Sequence, residues 1–371
     1  MFLEDEPGRT KMNIIGSSPG HCPHARFISV PIMEPNVLRV PQLAFRFGAI
    51  SDVQFSDVED GWNFWRTQRR RYRGTLESLR HAVSDWSSQG RNIAFVADLG
   101  DIIDQQCETN GNSCEALARV LSEWELLEVP IVRLVGNHEL YNFNREECAE
   151  LIPGITPFYH SFRPHQGWRL IVLDAYDLNM IERGGGTSAE EGISFLQEHN
   201  PNDLRAPRGS GDVTAGLQGL QRRYVPMAGA VRKEQLQWLV RELQDAQRES
   251  EHVIVLTHVP IAPGATVASA LLWNYDDVIA TFHEVDVGTV VMVLAGHYHS
   301  GGYCRDDRTG THHVTLQSPL HTTESEPLAH CTVEVWHDRI EILGHGIVPS
   351  RCLPLHRPAS DAPNTIFNIQ R

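Results

Sequence analysis

The sequence predicts an α/β fold in which helices and strands alternate and the strands pair largely in parallel. Short apolar runs at residues 45–50, 92–97 and 131–135 have the length and composition of buried strands. Between them, residues 74–87 and 116–127 repeat apolar side chains every three or four positions, as amphipathic helices do. Each helix therefore serves as a crossover between two strands, and crossover connections join strands that run parallel.

The same alternation continues along the second half of the chain. Further strands are predicted at residues 168–173, 252–256 and 290–295, and shorter alternating strands at 313–317, 331–336 and 339–343. Helices are predicted at residues 233–248, with apolar side chains on one face, and at 271–285.

Three stretches lack a sustained period. Residues 1–44 are predicted to be a mobile N-terminal arm, and residues 348–371 a polar C-terminal tail. Residues 183–231 are rich in Gly, Ser, Asn and Pro and are interpreted as a long surface insertion that could cover a site.

Size and charge exclude several classes of protein. The chain has 371 residues, 41% of them hydrophobic, 21% charged, and a formal net charge of −15. That charge argues against a nucleic-acid partner, because Lys and Arg contacts to phosphate dominate such binding. No apolar run approaches the roughly 20 residues of a membrane span. The acidic N-terminus and seven scattered cysteines predict a cytoplasmic protein with reduced thiols, although a disulfide between Cys107 and Cys114 remains open.

Polar side chains follow five of the predicted strands at the point where each strand ends. The junctions are Asp52-x-Gln54, Gly100-Asp101-x-x-Asp104, Gly136-Asn137-His138-Glu139, His258, and Gly296-His297-x-His299. In α/β sheets, ligands bind outside the carboxyl ends of the strands, so all five sets can converge on one place. Carboxylates, amide oxygens and imidazoles without a thiolate suit Mn, Fe, Zn or similar divalent ions. Two such ions would need a bridging carboxylate, for which Asp101 is the natural candidate.

The ordered series resembles that of the calcineurin-like metallophosphoesterase superfamily, whose pattern is D-x-H, G-D-x-x-D, G-N-H-E/D, H and G-H-x-H. Gln54 departs from it, because most members have His at that position. Gln54 and the segments 136–143, 272–275 and 296–303 are similar to those of the manganese-dependent ADP-ribose/CDP-alcohol diphosphatases. The resemblance covers residues 45–347 and implies a single metallophosphoesterase domain. Its fold would be an αββα β-sandwich of mixed sheets flanked by helices, with a dinuclear metal site at the carboxyl ends of strands.

The resemblance also implies a set of ligands for each metal. One metal would be held by Asp52, Gln54, Asp101 and His299, and the other by Asp101, Asn137, His258 and His297. The neutral amide oxygen of Gln54 in place of an imidazole nitrogen should favour Mn²⁺, although Mg²⁺, Zn²⁺ or Fe could also occupy the sites.

By the same resemblance, a hydroxide bridging the two metals would attack phosphorus in a nucleotide diphosphate. His138 would stabilise or protonate the leaving phosphate oxygen, its charge mattering more than its proton, and Asp104 would hydrogen-bond to His138 or to another group behind the ligands. Candidate substrate contacts are Tyr141, Asn142, Trp273, Asn274, Tyr275 and Arg73. Glu139 is either a partner of a ligand or an ordinary loop acid. His312, His313, His321 and His330 do not fit the series and are predicted to be structural.

The leading hypothesis is therefore a Mn²⁺-dependent hydrolase of ADP-ribose, CDP-choline, CDP-glycerol or related compounds that acts as a monomer. It would release AMP or CMP together with a phosphorylated sugar or alcohol. A phosphodiesterase acting on cyclic nucleotides or other diesters shares the same metal core and is the alternative enzyme. A non-enzymatic interaction scaffold is the third hypothesis, but a scaffold has no need of the complete ligand set and His138.

Overall fold

The computed structural model describes residues 42–63, 66–185, 187–206 and 211–356, with the side chain of residue 187 left out. The predicted N-terminal arm therefore lies almost wholly outside the described residues, as do the last fifteen positions of the predicted tail. Among the described helices, none is long and apolar enough to cross a membrane.

The described residues contain fourteen strands and eight α-helices. The strands are β1 (Leu43–Ile50), β2 (Gly61–Trp62), β3 (Arg69–Arg70), β4 (Phe95–Asp98), β5 (Ile131–Arg133), β6 (His160–His165), β7 (Trp168–Leu173), β8 (His252–Thr257), β9 (Val290–Ala295), β10 (Ser300–Arg305), β11 (His312–Gln317), β12 (Ala329–Trp336), β13 (Arg339–Gly346) and β14 (Arg351–Pro354). The helices are α1 (Thr75–Gln89), α2 (Gln106–Asn110), α3 (Ser113–Trp124), α4 (Asn137–Asn142), α5 (Arg145–Leu151), α6 (Thr187–Gln197), α7 (Lys233–Arg248) and α8 (Tyr275–Phe282).

Two six-stranded sheets form the centre of the molecule. The first has the order β14-β13-β12-β1-β4-β5 and the second β10-β11-β9-β8-β7-β6. Pairing is parallel in the β1-β4-β5 segment and from β7 through β8 and β9 to β11, whereas the remaining pairs are antiparallel. The predicted parallel pairing is thus confirmed for the strands that lead to the five polar junctions, and the sheets are mixed.

Apolar side chains of both sheets pack against each other between them. Phe47 and Val333 of the first sheet belong to the same buried cluster as Leu170, Ile254 and Leu294 of the second. On the outer faces, α1 lies against β12 and α7 against β8, with α3 and α8 beside them. The order of layers is therefore helix, sheet, sheet, helix, and the predicted αββα sandwich is confirmed.

Three predictions about secondary structure need correction. The helix predicted at residues 271–285 is shorter, Tyr275–Phe282, and follows a 3₁₀ turn at Ala268–Ala270. The predicted surface insertion at residues 183–231 contains helix α6, and the side chains of Leu196 and Val225 are buried. Part of this segment therefore packs into the core and does not lie on the surface. The tail prediction is wrong for residues 351–354, because β14 pairs with β13 and Leu353 is buried. Four residues with one buried side chain give too little alternation to be recognised as a strand.

The six cysteines that the structure describes are all free thiols, so no disulfide joins Cys107 to Cys114.

Gly48 on β1 lies directly beneath Trp86 of α1. A Cβ atom added at Gly48 would lie 2.5 Å from Cε2 of Trp86, whose indole is fully buried. Trp86 Nε1 donates a hydrogen bond to the carbonyl oxygen of Cys331 on β12, and its ring stacks on Trp124 of α3. Helix α1 therefore packs on the first sheet through the indole of Trp86, and only a glycine at position 48 leaves room for that indole.

Gly48→Ala should destabilise the protein by about 1–3 kcal/mol, because the added methyl group overpacks a rigid buried contact. The free energy of unfolding, measured by denaturant titration, tests this. Gly211→Ala is the matched control, since a Cβ atom there meets nothing within 4 Å. Equal stability of the two variants would contradict the close approach, and a smaller loss for Gly48→Ala in a Trp86→Phe background would support it.

Candidate metal centre

The two sheets direct their polar junctions to one place. Asp52, Asp101 and Asn137 follow β1, β4 and β5 of the first sheet, and His258 and His297 follow β8 and β9 of the second. Backbone hydrogen bonds tie the junctions together, for example from Asp52 N to Gly100 O at 3.0 Å and from Gly296 N to His258 O at 2.9 Å. The convergence expected from the sequence is therefore present in the structure.

Asp101 lies at the centre of the cluster. Its Oδ1 accepts a hydrogen bond from the backbone N of His138 at 2.8 Å. Its Oδ2 lies 3.0 Å from Gln54 Nε2 on one side and 3.4 Å from His258 Nε2 on the other. Burial alone would raise the pKa of Asp101, but His258 and His138 outweigh that effect and hold the pKa below its usual range. Asp101 is thus an ionised carboxylate with one oxygen facing both predicted ligand sets.

The first predicted set surrounds Asp52. Asp52 Oδ2 accepts hydrogen bonds from Ser51 Oγ at 2.5 Å and from the backbone N of His297 at 2.9 Å. Its Oδ1 lies 3.4 Å from both His299 Nε2 and Gln54 Nε2. The Gln54 amide nitrogen faces these groups and its Oε1 has no hydrogen-bond partner. A half-turn of the amide would exchange the two atoms and present the oxygen to a cation.

The second predicted set contains His258, whose two ring nitrogens have different roles. Nδ1 lies 2.7 Å from the carbonyl oxygen of Leu99, which can only accept, so Nδ1 donates. In the neutral ring the lone pair of Nε2 then faces Asp101, and Nε2 has no hydrogen-bond partner. Burial disfavours charge on His258, but Asp101 and Asp52 raise its pKa to about 10. A cation between the ring and the carboxylates would replace that proton.

Asn137 and His297 complete the second set. Asn137 Oδ1 lies 2.9 Å from His297 Nδ1, and the rings of His258 and His297 are 5.3 Å apart. The side chains of Asp101, His258 and His297 place ligand atoms within 4.8 Å of one another, close enough to hold one ion.

The backbone of the cluster is strained where the predicted ligands lie. Six described residues other than glycine have a positive φ, and four of them are Asp52 (56°), Gln54 (42°), Asp101 (61°) and His297 (65°). Such conformations cost on the order of 1–3 kcal/mol each and persist where the surrounding structure enforces them. Their concentration at the junctions is typical of a functional site.

Two motif glycines are required by close packing. A Cβ atom at Gly136 would lie 2.1 Å from Asp101 Oδ1, and one at Gly296 would lie 1.8 Å from Ser51 Oγ. Any side chain at either position would push the central carboxylates apart.

Glu139 joins two of the junction loops. Its carboxylate is 1% exposed and accepts three backbone hydrogen bonds, from Asp101 and Gly136 to Oε2 and from Ile102 to Oε1, at 2.7–2.8 Å. Burial and the nearby Asp101 charge raise the pKa of Glu139 to about 8. Of the two alternatives left open by the sequence, the partner of a ligand loop is the one observed. Its place three residues after the helix-capping Gly136 was a sequence signal for this role.

His138 is oriented by a backbone group. The backbone N of Gln105 donates to His138 Nδ1 at 2.8 Å, so the proton of the neutral ring is on Nε2. Nε2 lies 4.0 Å from Asp101 Oδ2 and faces the cluster. Of the two kinds of partner expected for Asp104, His138 is not the one observed, because Asp104 Oδ2 is 3.6 Å from His138 Nδ1 and has no hydrogen-bond partner. Asp104 instead shapes the turn that presents Gln105, accepting from Gln106 N at 3.0 Å.

Two predicted substrate contacts are wrong because the side chains are fully buried. Asn142 donates to the carbonyl oxygens of His138 and Asp104 and accepts from Ser113, so it supports His138 from behind. Trp273 donates a hydrogen bond from Nε1 to the carbonyl oxygen of Val225 at 3.0 Å, and its ring stacks on that of Phe195.

The four other candidate substrate contacts differ in what their side chains touch. Asn274 uses its amide to hold the backbone of Val231, and Arg223 lies over the ring of Tyr275. Arg73 forms ion pairs with the exposed acids Asp57 and Glu59, so the structure gives no support to its predicted contact with substrate. The ring of Tyr141 lies 5.2 Å from that of His138, which keeps it beside the cluster.

Tyr176 is a residue near the cluster that the sequence did not single out. Its buried hydroxyl lies 3.0 Å from Asn137 Oδ1 and 3.0 Å from the carbonyl oxygen of Met227 in the predicted insertion. The insertion therefore touches the cluster through this phenol. Its position just after β7, a sixth strand end, was the available signal.

The donor set fits two divalent cations. Gln54 Oε1 and His258 Nε2 are buried polar atoms without hydrogen-bond partners, and both belong to predicted ligands. Native proteins seldom leave such atoms unpaired unless an ion or water completes them. Oxygen atoms outnumber nitrogen atoms in the set, which suits Mn²⁺ or Mg²⁺ better than a thiophilic metal.

Comparison with known proteins agrees with this geometry. Residues 45–301 match the model of the calcineurin-like phosphoesterase family. The chain is 37% identical over 312 residues to a manganese-dependent ADP-ribose/CDP-alcohol diphosphatase from Arabidopsis thaliana, covering 82% of this chain and 94% of that protein. The corresponding protein from Homo sapiens is 35% identical over 330 residues, covering 83% and 92%.

A solved structure of a related protein has the same fold. The crystal structure of a dimetal phosphatase from Danio rerio superposes with a TM-score of 0.77 at 33% sequence identity, covering 85% of this chain and all of that one. From the matched family model, the sequence identities and the shared fold, we conclude that this chain belongs to the calcineurin-like phosphoesterase family.

Proposed function

We propose that this protein is a Mn²⁺-dependent hydrolase of the diphosphate bond in ADP-ribose, CDP-alcohols and related nucleotide diphosphates. The observation that carries the proposal is the convergence of both predicted ligand sets on Asp101 Oδ2. The names of the relatives that match over most of the chain give the substrate class. We propose that the products are AMP or CMP and a phosphorylated sugar or alcohol.

In this proposal Asp52, Gln54, Asp101 and His299 hold one ion, and Asp101, Asn137, His258 and His297 hold the other. When bound, the ions supply an activated water for attack on phosphorus and neutralise the charge of the diphosphate. The chain itself orients the ligands: Leu99 O fixes the His258 ring, and the Tyr176 hydroxyl steadies Asn137. All of these side chains come from one chain, which supports a monomeric enzyme. The free thiols support a cytoplasmic location.

His138 has the geometry of a hydrogen-bond donor to the reacting phosphate. Because the N–H of Gln105 occupies Nδ1, the proton that faces the cluster is on Nε2. A neutral N–H can stabilise the charge that develops on a phosphate oxygen by donating a hydrogen bond to it. In this proposal the hydrogen bond from Nε2–H takes the place of a positive charge on His138. Tyr141, whose ring contacts His138, lines the same side.

His138→Ala should lower turnover of ADP-ribose by at least about 100-fold, because one preorganised donor is removed. Mn²⁺ binding, measured by calorimetry, should be unchanged. His138→Gln should retain more activity, since its amide N–H can still donate. His160→Ala on the edge strand β6 is the control and should behave as the wild type. Unchanged turnover in His138→Ala would rule out its catalytic role.

Glu139→Gln should weaken Mn²⁺ binding by about 10–100-fold, the range typical of groups that orient metal ligands. The variant places an NH₂ group against a backbone N–H, which should also cost about 1–3 kcal/mol of stability. Glu147→Gln is the matched control, because Glu147 accepts a similar capping hydrogen bond at the start of α5, away from the cluster. Equal Mn²⁺ affinities of the two variants would show that the Glu139 clamp does not position ligands.

Product analysis tests the proposed reaction itself. Chelator-treated protein should regain activity with Mn²⁺, release AMP and ribose phosphate from ADP-ribose, and release CMP and a phosphoalcohol from CDP-choline. A cyclic nucleotide assayed beside them tests the alternative phosphodiesterase activity. Failure to form a nucleoside monophosphate from either diphosphate would contradict the proposal.

A further inference from the structure

A second group of metal-ligating side chains lies on the outer face of the first sheet. It consists of Asp85 on α1, His330 on β12 and His345 on β13, and their ligand atoms all lie within 4.8 Å of one another. None of the three belongs to the five junctions, and the sequence pattern predicted a structural role for His330. We refer to the three residues as the outer triad.

The sheet fixes the spacing of the two histidines. His330 and His345 are direct partners in the antiparallel register of β12 and β13, so their side chains project from the same face. Their rings are stacked, with centroids 4.4 Å apart and planes within 4°. Two parallel imidazoles at this distance would repel each other strongly if both were charged, so the pair suits the neutral state.

Helix α1 brings a carboxylate to the same place. Asp85 Oδ2 lies 2.8 Å from His330 Nε2 and 3.6 Å from His345 Nδ1. Ligand atoms around a tetrahedral Zn²⁺ ion with metal–nitrogen distances near 2.1 Å are about 3.4 Å apart. The observed separations lie on either side of that value, and the ring of His345 would have to rotate out of the stack for both imidazoles to face the ion. His81, one helical turn before Asp85, adds to the lowering of the pKa of His330.

The outer triad combines one buried imidazole with two ligands that solvent can reach. His330 is completely buried, and the ring nitrogen that faces Asp85 is Nε2. Burial and the neighbouring His345 lower the pKa of His330 to about 4, so the ring is neutral at physiological pH. Neutral imidazole is the form that binds metals. The side chains of His345 and Asp85 are 35% and 42% exposed, which gives an ion a path from solvent.

We propose that Asp85, His330 and His345 form a second metal site, distinct from the catalytic centre, that binds a borderline transition-metal ion such as Zn²⁺. Two imidazoles and one carboxylate favour Zn²⁺, Cu²⁺ or Ni²⁺ over Mn²⁺, in contrast to the oxygen-rich junction cluster. An ion there would join α1 to the β12–β13 hairpin and so stabilise the contact that also holds Trp86. This site is independent of the proposed diphosphatase activity.

Zinc stoichiometry tests the proposal directly. Metal-depleted full-length protein is dialysed to equilibrium against micromolar Zn²⁺, and bound zinc per chain is measured by elemental analysis. The variants are Asp85→Asn with His345→Gln, which leave the buried His330 in place, and the control His337→Gln, an exposed histidine between β12 and β13. The double variant should bind one zinc ion fewer than the wild type, and the control should bind as many as the wild type.

Two further readouts separate binding from misfolding. The double variant should keep wild-type Mn²⁺-dependent turnover and, without zinc, a melting temperature within a few degrees of the wild type. Zn²⁺ should raise the melting temperature of wild-type protein with its catalytic centre saturated by Mn²⁺, but not that of the double variant. The single variant His345→Gln provides the same comparison if the double variant unfolds. Equal zinc stoichiometry in wild type and variants would overturn the proposal and leave the triad as a helix-to-sheet hydrogen bond.

Discussion

The junction cluster depends on one buried carboxylate that binds two loops to each other. Glu139 accepts backbone hydrogen bonds from the loop after β4 and from the loop after β5. Each of these loops carries a predicted metal ligand, Asp101 in one and Asn137 in the other. All three donors are backbone N–H groups, and burial removes the water that would compete for them. The distance between the two ligands is therefore set by backbone groups and not by flexible side chains.

This arrangement explains where the backbone strain is found. Asp52, Asp101 and His297 all have left-handed backbone conformations, which are unfavourable for residues other than glycine. Hydrogen bonds between the junctions hold them there, including the one from His297 N to Asp52 Oδ2 across the two sheets. Anionic side chains brought this close repel one another, and two divalent ions would relieve that repulsion. The β-sandwich thus provides the rigidity, and the metals would provide the compensating charge.

Much of the site could be predicted from the sequence, because its residues come directly after predicted strands. Asp52, Asp101 and His258 each come directly after an apolar strand, and parallel strands bring their carboxyl ends to one edge. Glu139 and Tyr176 were harder to assign, because their roles are to hold a loop and a ligand, and such roles depend on contacts between distant segments. The proton position on His138 could not be predicted, since it is decided by the backbone N–H of Gln105, a residue with no signal of its own. Trp273 and Asn142 were misjudged because neither aromatic character nor closeness to a motif in the sequence reveals that a side chain is fully buried.

In the proposed site, Asp101 would bridge two ions held by the loops that Glu139 binds together. Electron paramagnetic resonance of protein loaded with two equivalents of Mn²⁺ tests it most directly, because ions that share a bridging ligand are exchange-coupled. We expect the wild type to give the multiline spectrum of a coupled pair, and Asp101→Asn to give only the six-line spectrum of isolated Mn²⁺. A six-line spectrum from fully loaded wild-type protein would contradict the bridge.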